Sequence, residues 1–254
     1  QFNTEIVNHA DVKKNLLKMR AMTRGLRSII LYTADLFDQA HKDEKYNDYI
    51  GILTPICKSF ASEQGFNVAV EAVQAHGGYG YCSEYGVEQF VRDIKIATIY
   101  EGTNGIQAID FVMRKILKDQ GAVFQQISKE ILTTMTRLTD DFSIERETLQ
   151  KALGTAQSAM EFIATHAKSK KMGIVLQSCK DFLDLSAHIV VSWRLMESAL
   201  VAKEKMTSAN DEEKVYLETK LVDFKIYTTQ HLAHSVACAR AITSLTEDVS
   251  SYTL

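Results

Sequence analysis

Glu101 sits where a carboxylate can do chemistry. It lies in Tyr100-Glu101-Gly102-Thr103-Asn104-Gly105, between an apolar series at helical spacing that leads in (Val87, Val91, Ile94) and another that leads out (Ile106, Ile109, Met113, Ile116). Two glycines, a hydroxyl and an amide in the gap are helix-stopping and helix-starting residues, so Glu101 is expected at a break between two helices. Glycines on either side of Thr103-Asn104 let a flat ligand approach the main chain closely, and Thr103 or Asn104 can cap the helix that follows. A carboxylate is a weak base in water, but desolvation disfavours its charge and raises its proton affinity. Ile99 and Tyr100 before Glu101, and the bare Gly102 after it, suit that tuning. On spacing alone, an interhelical turn with a solvated glutamate is the commoner meaning of such a stretch.

Three strings in fixed order narrow the choice: Gln74-Ala75-His76-Gly77-Gly78-Tyr79-Gly80-Tyr81, then Arg92-Asp93, then Tyr100-Glu101-Gly102-Thr103. In wording, order and spacing they resemble the C-terminal helical domain of acyl-CoA dehydrogenases. Glu-Gly-Thr-Asn-Gly-Ile-Gln, followed by a long helical tail, resembles the subgroup with an extra C-terminal domain. The resemblance is specific over residues 50 to 118, looser over 1 to 49, and confined to helical character in the tail.

The resemblance implies an FAD-dependent enzyme that oxidises acyl-CoA to trans-2-enoyl-CoA. Glu101 would be the base for the α-proton, Gly102 would lie beside the thioester, and Thr103, Asn104 and Gly105 would touch FAD in the same subunit. Gln74, Ala75, His76, Gly77 and Gly78 would lie against the FAD of a neighbouring subunit, which implies a homo-oligomer, a dimer or a tetramer. Gly105 stands where other members carry a longer polar residue, so only its backbone would serve. Electron transfer flavoprotein is the implied acceptor. Two alternatives stay open: an acyl-CoA oxidase, although the chain ends Ser-Tyr-Thr-Leu rather than Ser-Lys-Leu, and a non-catalytic helical scaffold. The family's N-terminal helical domain and middle β-domain have no counterpart here, and the chain opens on Gln1 without a methionine. A C-terminal part of a longer enzyme is therefore expected, one that binds FAD weakly or not at all in isolation.

The elements that must position these residues read as helices throughout. Val12, Leu16, Met19, Met22, Leu26, Ile29, Thr33 and Leu36 form one apolar stripe, with Asn8 as its expected cap and a solvated basic face of Lys13, Lys14, Arg20, Arg24 and Arg27. Thr54-Pro55 reads as the N-cap and first position of a helix that stops at Gly77-Gly78, and Ser83 as the cap of the helix bearing Arg92-Asp93. That pair reads as structural, each charge with its own partner. Beyond Lys118-Asp119-Gln120-Gly121, four amphipathic helices follow: Phe124 to Leu138, Leu149 to Ile163, Val175 to Leu200, and Leu217 to Leu245 after the acidic lead Asn210-Asp211-Glu212-Glu213. The expected fold is all-α, with an acyl-CoA dehydrogenase-like helical bundle over 1–120, truncated at its start, and a second bundle over 121–254.

Composition is in keeping. Of 254 residues, 46% are hydrophobic and 24% charged, and a single proline with 12 glycines favours long helices. A net charge of −3 gives no footing for nucleic acid, and no apolar run is long enough to span a bilayer. Cys57, Cys82, Cys179 and Cys238 are scattered without a CxxC pair and read as buried reduced thiols of a cytoplasmic protein. His231 and His234 share a helix face, but no carboxylate or cysteine completes a metal site, and no metal is expected.

Overall fold

The computed structural model describes residues 3–253. It is all-α, with no strand among the described residues. The chain runs α1 (Ala10–Ala40), α2 (Tyr46–His76), the single turn α3 (Gly78–Tyr81), α4 (Val87–Lys95) and α5 (Asn104–Asp110). A π-helical segment, Phe111–Ile116, leads to α6 (Ala122–Met135), α7 (Ser143–Lys168), α8 (Met172–Lys205), α9 (Asp211–Gln230) and α10 (His234–Thr243).

The centre of the molecule is α8. Its sequence gives one apolar stripe, yet from Phe182 to Met196 almost every residue is buried, including Leu183, Leu185, Ala187, Val190 and Val191 off that stripe. A helix that is apolar on every face needs neighbours on every side. Helices α1, α2 and α5 pack against it from one half of the chain, and α6, α7, α9 and α10 from the other. Both segments thereby share one hydrophobic core. Gly25 of α1 lies hard against α8: a Cβ there would stand 2.5 Å from Val191 Cγ1, closer than the packing admits without a shift.

Polar contacts fix the same packing. Asp223 of α9 is fully buried and accepts from Arg20 Nε (2.7 Å) and Arg24 Nη1 (2.6 Å) of α1. Those two arginines therefore do not belong to a solvated face as expected; a buried carboxylate is tolerated because both cations reach it. Trp193 Nε1 donates to Thr134 Oγ1 of α6 (3.1 Å), and Lys180 of α8 bridges Asp184 (2.5 Å) and Glu63 of α2 (2.8 Å).

Several expected boundaries move. His9 rather than Asn8 precedes α1, and the Asn8 amide instead donates to Thr4 Oγ1 (3.2 Å). Pro55 does not start a helix: α2 begins nine residues earlier, and Pro55 is buried in its interior. An interior proline forfeits one backbone bond and crowds the carbonyl four residues back, a cost of about 3 kcal/mol. Burial of Ile52, Leu53 and Ile56 around it offsets that cost. Gly86, left-handed at φ 69°, opens α4, while Ser83 belongs to a separate 3₁₀ turn. The capping box of Asn210 and Glu213 starts α9 as the acidic lead implied. The last long helix, however, breaks at His231–Ala233, placing His231 and His234 on different helices. Of the thiols, all free, Cys179 is buried, Cys57 and Cys238 are half-buried, and Cys82 is exposed.

The α9–α10 break carries a pH dependence. Burial pushes His188 down to about 3 and His231 down to about 4, with neighbouring positive groups adding to the effect. His188 meets the Tyr227 hydroxyl at 3.3 Å, and His231 Nε2 donates to the Lys18 carbonyl at 3.1 Å. A histidine with a depressed folded-state pKa takes up a proton on unfolding. Its contribution is whole above pH ~6.5 and is lost as pH falls toward 4, at up to ~1.4 kcal/mol per pH unit for each group. Asp184, raised by burial to about 6, acts in the opposite sense over pH ~4–6 and so moderates the fall. Replacing His231→Gln keeps an N–H for Lys18 but removes the titrating ring. Melting temperatures between pH 7 and 4 should fall less steeply for this variant than for the unaltered chain.

Candidate active site

Glu101 stands at the break where the sequence puts it. A 3₁₀ turn, Ile96–Thr98, ends the run from α4, and α5 starts at Asn104. The backbone between is unusual: Glu101 has φ 55° and Gly102 φ 85°. Positive φ costs Gly102 nothing, but a side-chain-bearing residue held there is strained by about 1–3 kcal/mol unless its surroundings over-determine it.

They do, through six hydrogen bonds. Thr103, not Asn104, caps α5, its hydroxyl accepting from Ile106 N–H (3.3 Å). Gln107 Nε2 donates to the Glu101 carbonyl (3.3 Å). Asn104 is buried and turned into α2: its Nδ2 donates to the Ser59 carbonyl (3.1 Å), while its Oδ1 accepts from Ser62 Oγ (3.2 Å) and Lys58 Nζ (3.1 Å). Lys58 Nζ also donates to the Gly102 carbonyl (2.6 Å). Sequence reasoning missed Lys58, Ser59 and Ser62, because their place opposite the loop follows only from how α2 packs.

The loop borders an apolar trough of ≈ 420 Å³ between α1, α2 and α4, lined by Leu26, Ile30, Ala61, Gly65, Ile94 and Ala97, with Glu101 and Arg27 also bordering it. Glu101 itself is exposed, as are Ile99, Tyr100 and Ile106 around it. The desolvation expected from Ile99 and Tyr100 is therefore not supplied by this chain alone.

Gln74, Ala75 and His76 form the last turn of α2, and Gly77 (φ 63°) turns the chain into α3, which begins at Gly78. All but the half-buried Ala75 are exposed, and a Cβ on Gly77 or Gly78 would meet nothing within 4 Å. His76 Nδ1 lies 2.8 Å from the Ala72 carbonyl. The structure does not bring this segment to Glu101. Gly77 lies 19 residues beyond Lys58 on the same helix, and at about 1.5 Å per residue that is roughly 28 Å along the axis. Arg92 and Asp93 are exposed on α4, and neither has an ion pair among the described residues, contrary to the partners expected for them.

The family resemblance implies a flavin, and both surfaces offer bare backbone to one, at Gly102 and Gly105 and at Gly77-Gly78; the first adds half-exposed apolar side chains, so both fit the approach of a flat ring or a diphosphate. Asn104 is the exception, since it is buried and its side chain is wholly engaged with α2, leaving only its backbone for a ligand. Among the described residues, no group of three or more His, Cys, Asp or Glu side chains is arranged to hold a metal.

Comparison with known proteins follows this geometry. Residues 1–117 match the model of the acyl-CoA dehydrogenase C-terminal domain, and residues 106–252 match that described as acetyl-CoA dehydrogenase C-terminal like. The chain belongs to the acyl-CoA dehydrogenase family. The two matches overlap across α5 and the π-helical segment, directly after the Glu101 loop. Among its relatives in the family is 3-methylmercaptopropionyl-CoA dehydrogenase of Ruegeria pomeroyi, 32% identical over 91% of this chain and 40% of that protein. Another is the broad-specificity linear acyl-CoA dehydrogenase FadE5 of Mycobacterium tuberculosis, 28% identical over 96% of this chain and 42% of that protein. An acyl-CoA dehydrogenase from Bacillus anthracis, solved complexed with FAD, superposes with a TM-score of 0.64 over 97% of this chain and 48% of that one, at 20% identity. That likeness speaks for the fold. The chain spans about two fifths of the length of the curated dehydrogenases named above.

Asn104 is the loop's anchor to α2, and its removal should be felt in stability. Asn104→Ala removes the bonds to the Ser59 carbonyl, Ser62 Oγ and Lys58 Nζ, each worth about 0.5–1.5 kcal/mol, while Ser62 Oγ keeps its bond to the Ser59 carbonyl (3.0 Å). A lower urea midpoint with unchanged helical content is the expected result; an unchanged midpoint would mean that the amide carries no anchoring load.

Proposed function

We propose that this chain is the C-terminal, base-bearing part of an FAD-dependent acyl-CoA dehydrogenase that converts acyl-CoA to trans-2-enoyl-CoA. The observation that carries the reading is Glu101, held at φ 55° on an open apolar face by bonds to its neighbours' backbone. Strain maintained at one carboxylate, in a family named for this chemistry, favours a working residue over an incidental turn. Glu101 takes the proton from the α-carbon, and Gly102, without a side chain, leaves room for the thioester beside it. The Glu101 backbone N–H helps polarise the thioester oxygen. Bound FAD would supply the acceptor for the β-hydride.

In the same reading the backbone of Thr103, Asn104 and Gly105 faces FAD in this subunit, and Gln74 to Gly78 faces the FAD of a neighbour. The roughly 28 Å along α2 between Lys58 and Gly77 supports two flavins rather than one. The protein would then be a homo-oligomer, a dimer or a tetramer, passing electrons to electron transfer flavoprotein in the cytoplasm. Residues 1–120 form the site-bearing domain, and 121–254 a second bundle that buttresses it through α8. No helix among the described residues is long and apolar enough to cross a membrane.

The test is Glu101→Gln in the flavoenzyme that carries this chain. The amide keeps the shape of the side chain and loses its basicity, so FAD content should persist. Flavin reduction by saturating acyl-CoA, followed by stopped-flow absorbance, should slow by at least the ~10²–10⁴-fold typical of a positioned base. Reduction at the unaltered rate would make Glu101 a turn residue only.

A further inference from the structure

Lys58 is absent from every motif that marks this site, yet it donates from α2 to the carbonyl of Gly102, the residue next to Glu101. It stands on α2, half-buried, and its ammonium has two bonded acceptors, the Gly102 carbonyl at 2.6 Å and Asn104 Oδ1 at 3.1 Å. The first fixes the Gly102–Thr103 peptide, and the second locks the amide that ties α5 to α2. Gln107 holds the Glu101 carbonyl at 3.3 Å, so the two consecutive peptides after the strained residue, Glu101–Gly102 and Gly102–Thr103, are each held by one side chain.

We infer that Lys58 is a positioning residue: by holding the Gly102 carbonyl and the Asn104 amide together it keeps the left-handed Glu101-Gly102 turn, and with it the base, in place. This rests on Glu101 being the base. The Asn104 amide is itself buried against Ser59 and Ser62, so the ammonium of Lys58 joins the turn to a point already fixed on α2. Lys58 and Glu101 also border the same apolar trough between α1, α2 and α4.

A pinned turn restricts the positions that the carboxylate samples, and misplacement by about 1 Å is worth on the order of 10² in rate.

The experiment compares Lys58→Met with Lys58→Arg, beside Glu101→Gln. Methionine keeps the stem and removes the charge and the donors; arginine keeps charge and donors in another shape. In the chain itself, Lys58→Met should speed amide hydrogen exchange at Ile106 and Gln107, whose N–H groups report on the capped start of α5. In the flavoenzyme, Lys58→Met should slow flavin reduction by ten-fold or more at unchanged FAD content, and Lys58→Arg should recover most of that rate. An unaltered rate in Lys58→Met overturns the inference, and so does a slowed rate that Lys58→Arg leaves uncorrected. If Glu101→Gln reduces flavin at the full rate, the reading of Glu101 fails, independently of anything Lys58 does. If Glu101→Gln is slow and Lys58→Met is unaltered in rate, the base stands and Lys58 is only a surface lysine.

Discussion

A helix stretch with apolar side chains on all sides cannot be solvated on any face, and α8, from Phe182 to Met196, imposes that condition on everything else. Its flanks must be occupied by separate helices, which come from both ends of the chain. Gly25 lets α1 come close enough to seal one side, and the Arg20 and Arg24 pair with Asp223 ties α1 to α9. Once α1 and α2 are seated on α8, the position of the Glu101 loop follows, because Asn104 satisfies its buried amide against Lys58, Ser59 and Ser62 of α2. The tail is thus part of the foundation of the site, although none of its described residues lines the trough beside Glu101.

The π-helical stretch after α5 fits this arrangement. Leu117 N–H reaches back five residues to Val112, and Gly121 N–H five residues to Ile116. Wider turns of this kind shift the phase of a helix, and they recur near functional sites. Here the shift allows Ala108, ahead of the segment, and Phe111, Val112 and Ile116, within it, all to face the core, while the loop at the other end of α5 keeps its own orientation. The two family matches overlap across this same stretch, so the phase change lies where the site-bearing part passes into the extra helical part.

Much of this was legible in the sequence, and what was not has physical causes. Helical periodicity located nearly every long helix, because an amphipathic helix at a surface must repeat its apolar face every 3.6 residues. It failed at α8, where the stripe seen was a sample of a fully buried helix, and at α2, where Pro55 looked like a beginning. Local chemistry favours proline at a first turn; burial of its neighbours let it stay in the interior. Arg20 and Arg24 looked solvated because their partner lies about 200 residues away, and no local pattern reports a contact at that range. The same limit hid Lys58. Glu101 was visible because its signal is local: glycines and a cap within four residues. The groups that hold it are on another helix.

The exposure of Glu101 sharpens what this chain contributes. A carboxylate open to solvent is a poor base toward a carbon acid, since water stabilises its charge. In the proposed enzyme the dry surroundings must therefore come from whatever closes over Ile99, Tyr100 and Ile106, while this chain supplies direction. The two contributions have different structural needs. Direction needs only that the backbone beside Glu101 be pinned, and Lys58 and Gln107 do that from within this chain without covering the side chain. Dryness needs a second surface over the exposed apolar groups, which a turn at the edge of a helical bundle cannot provide for itself.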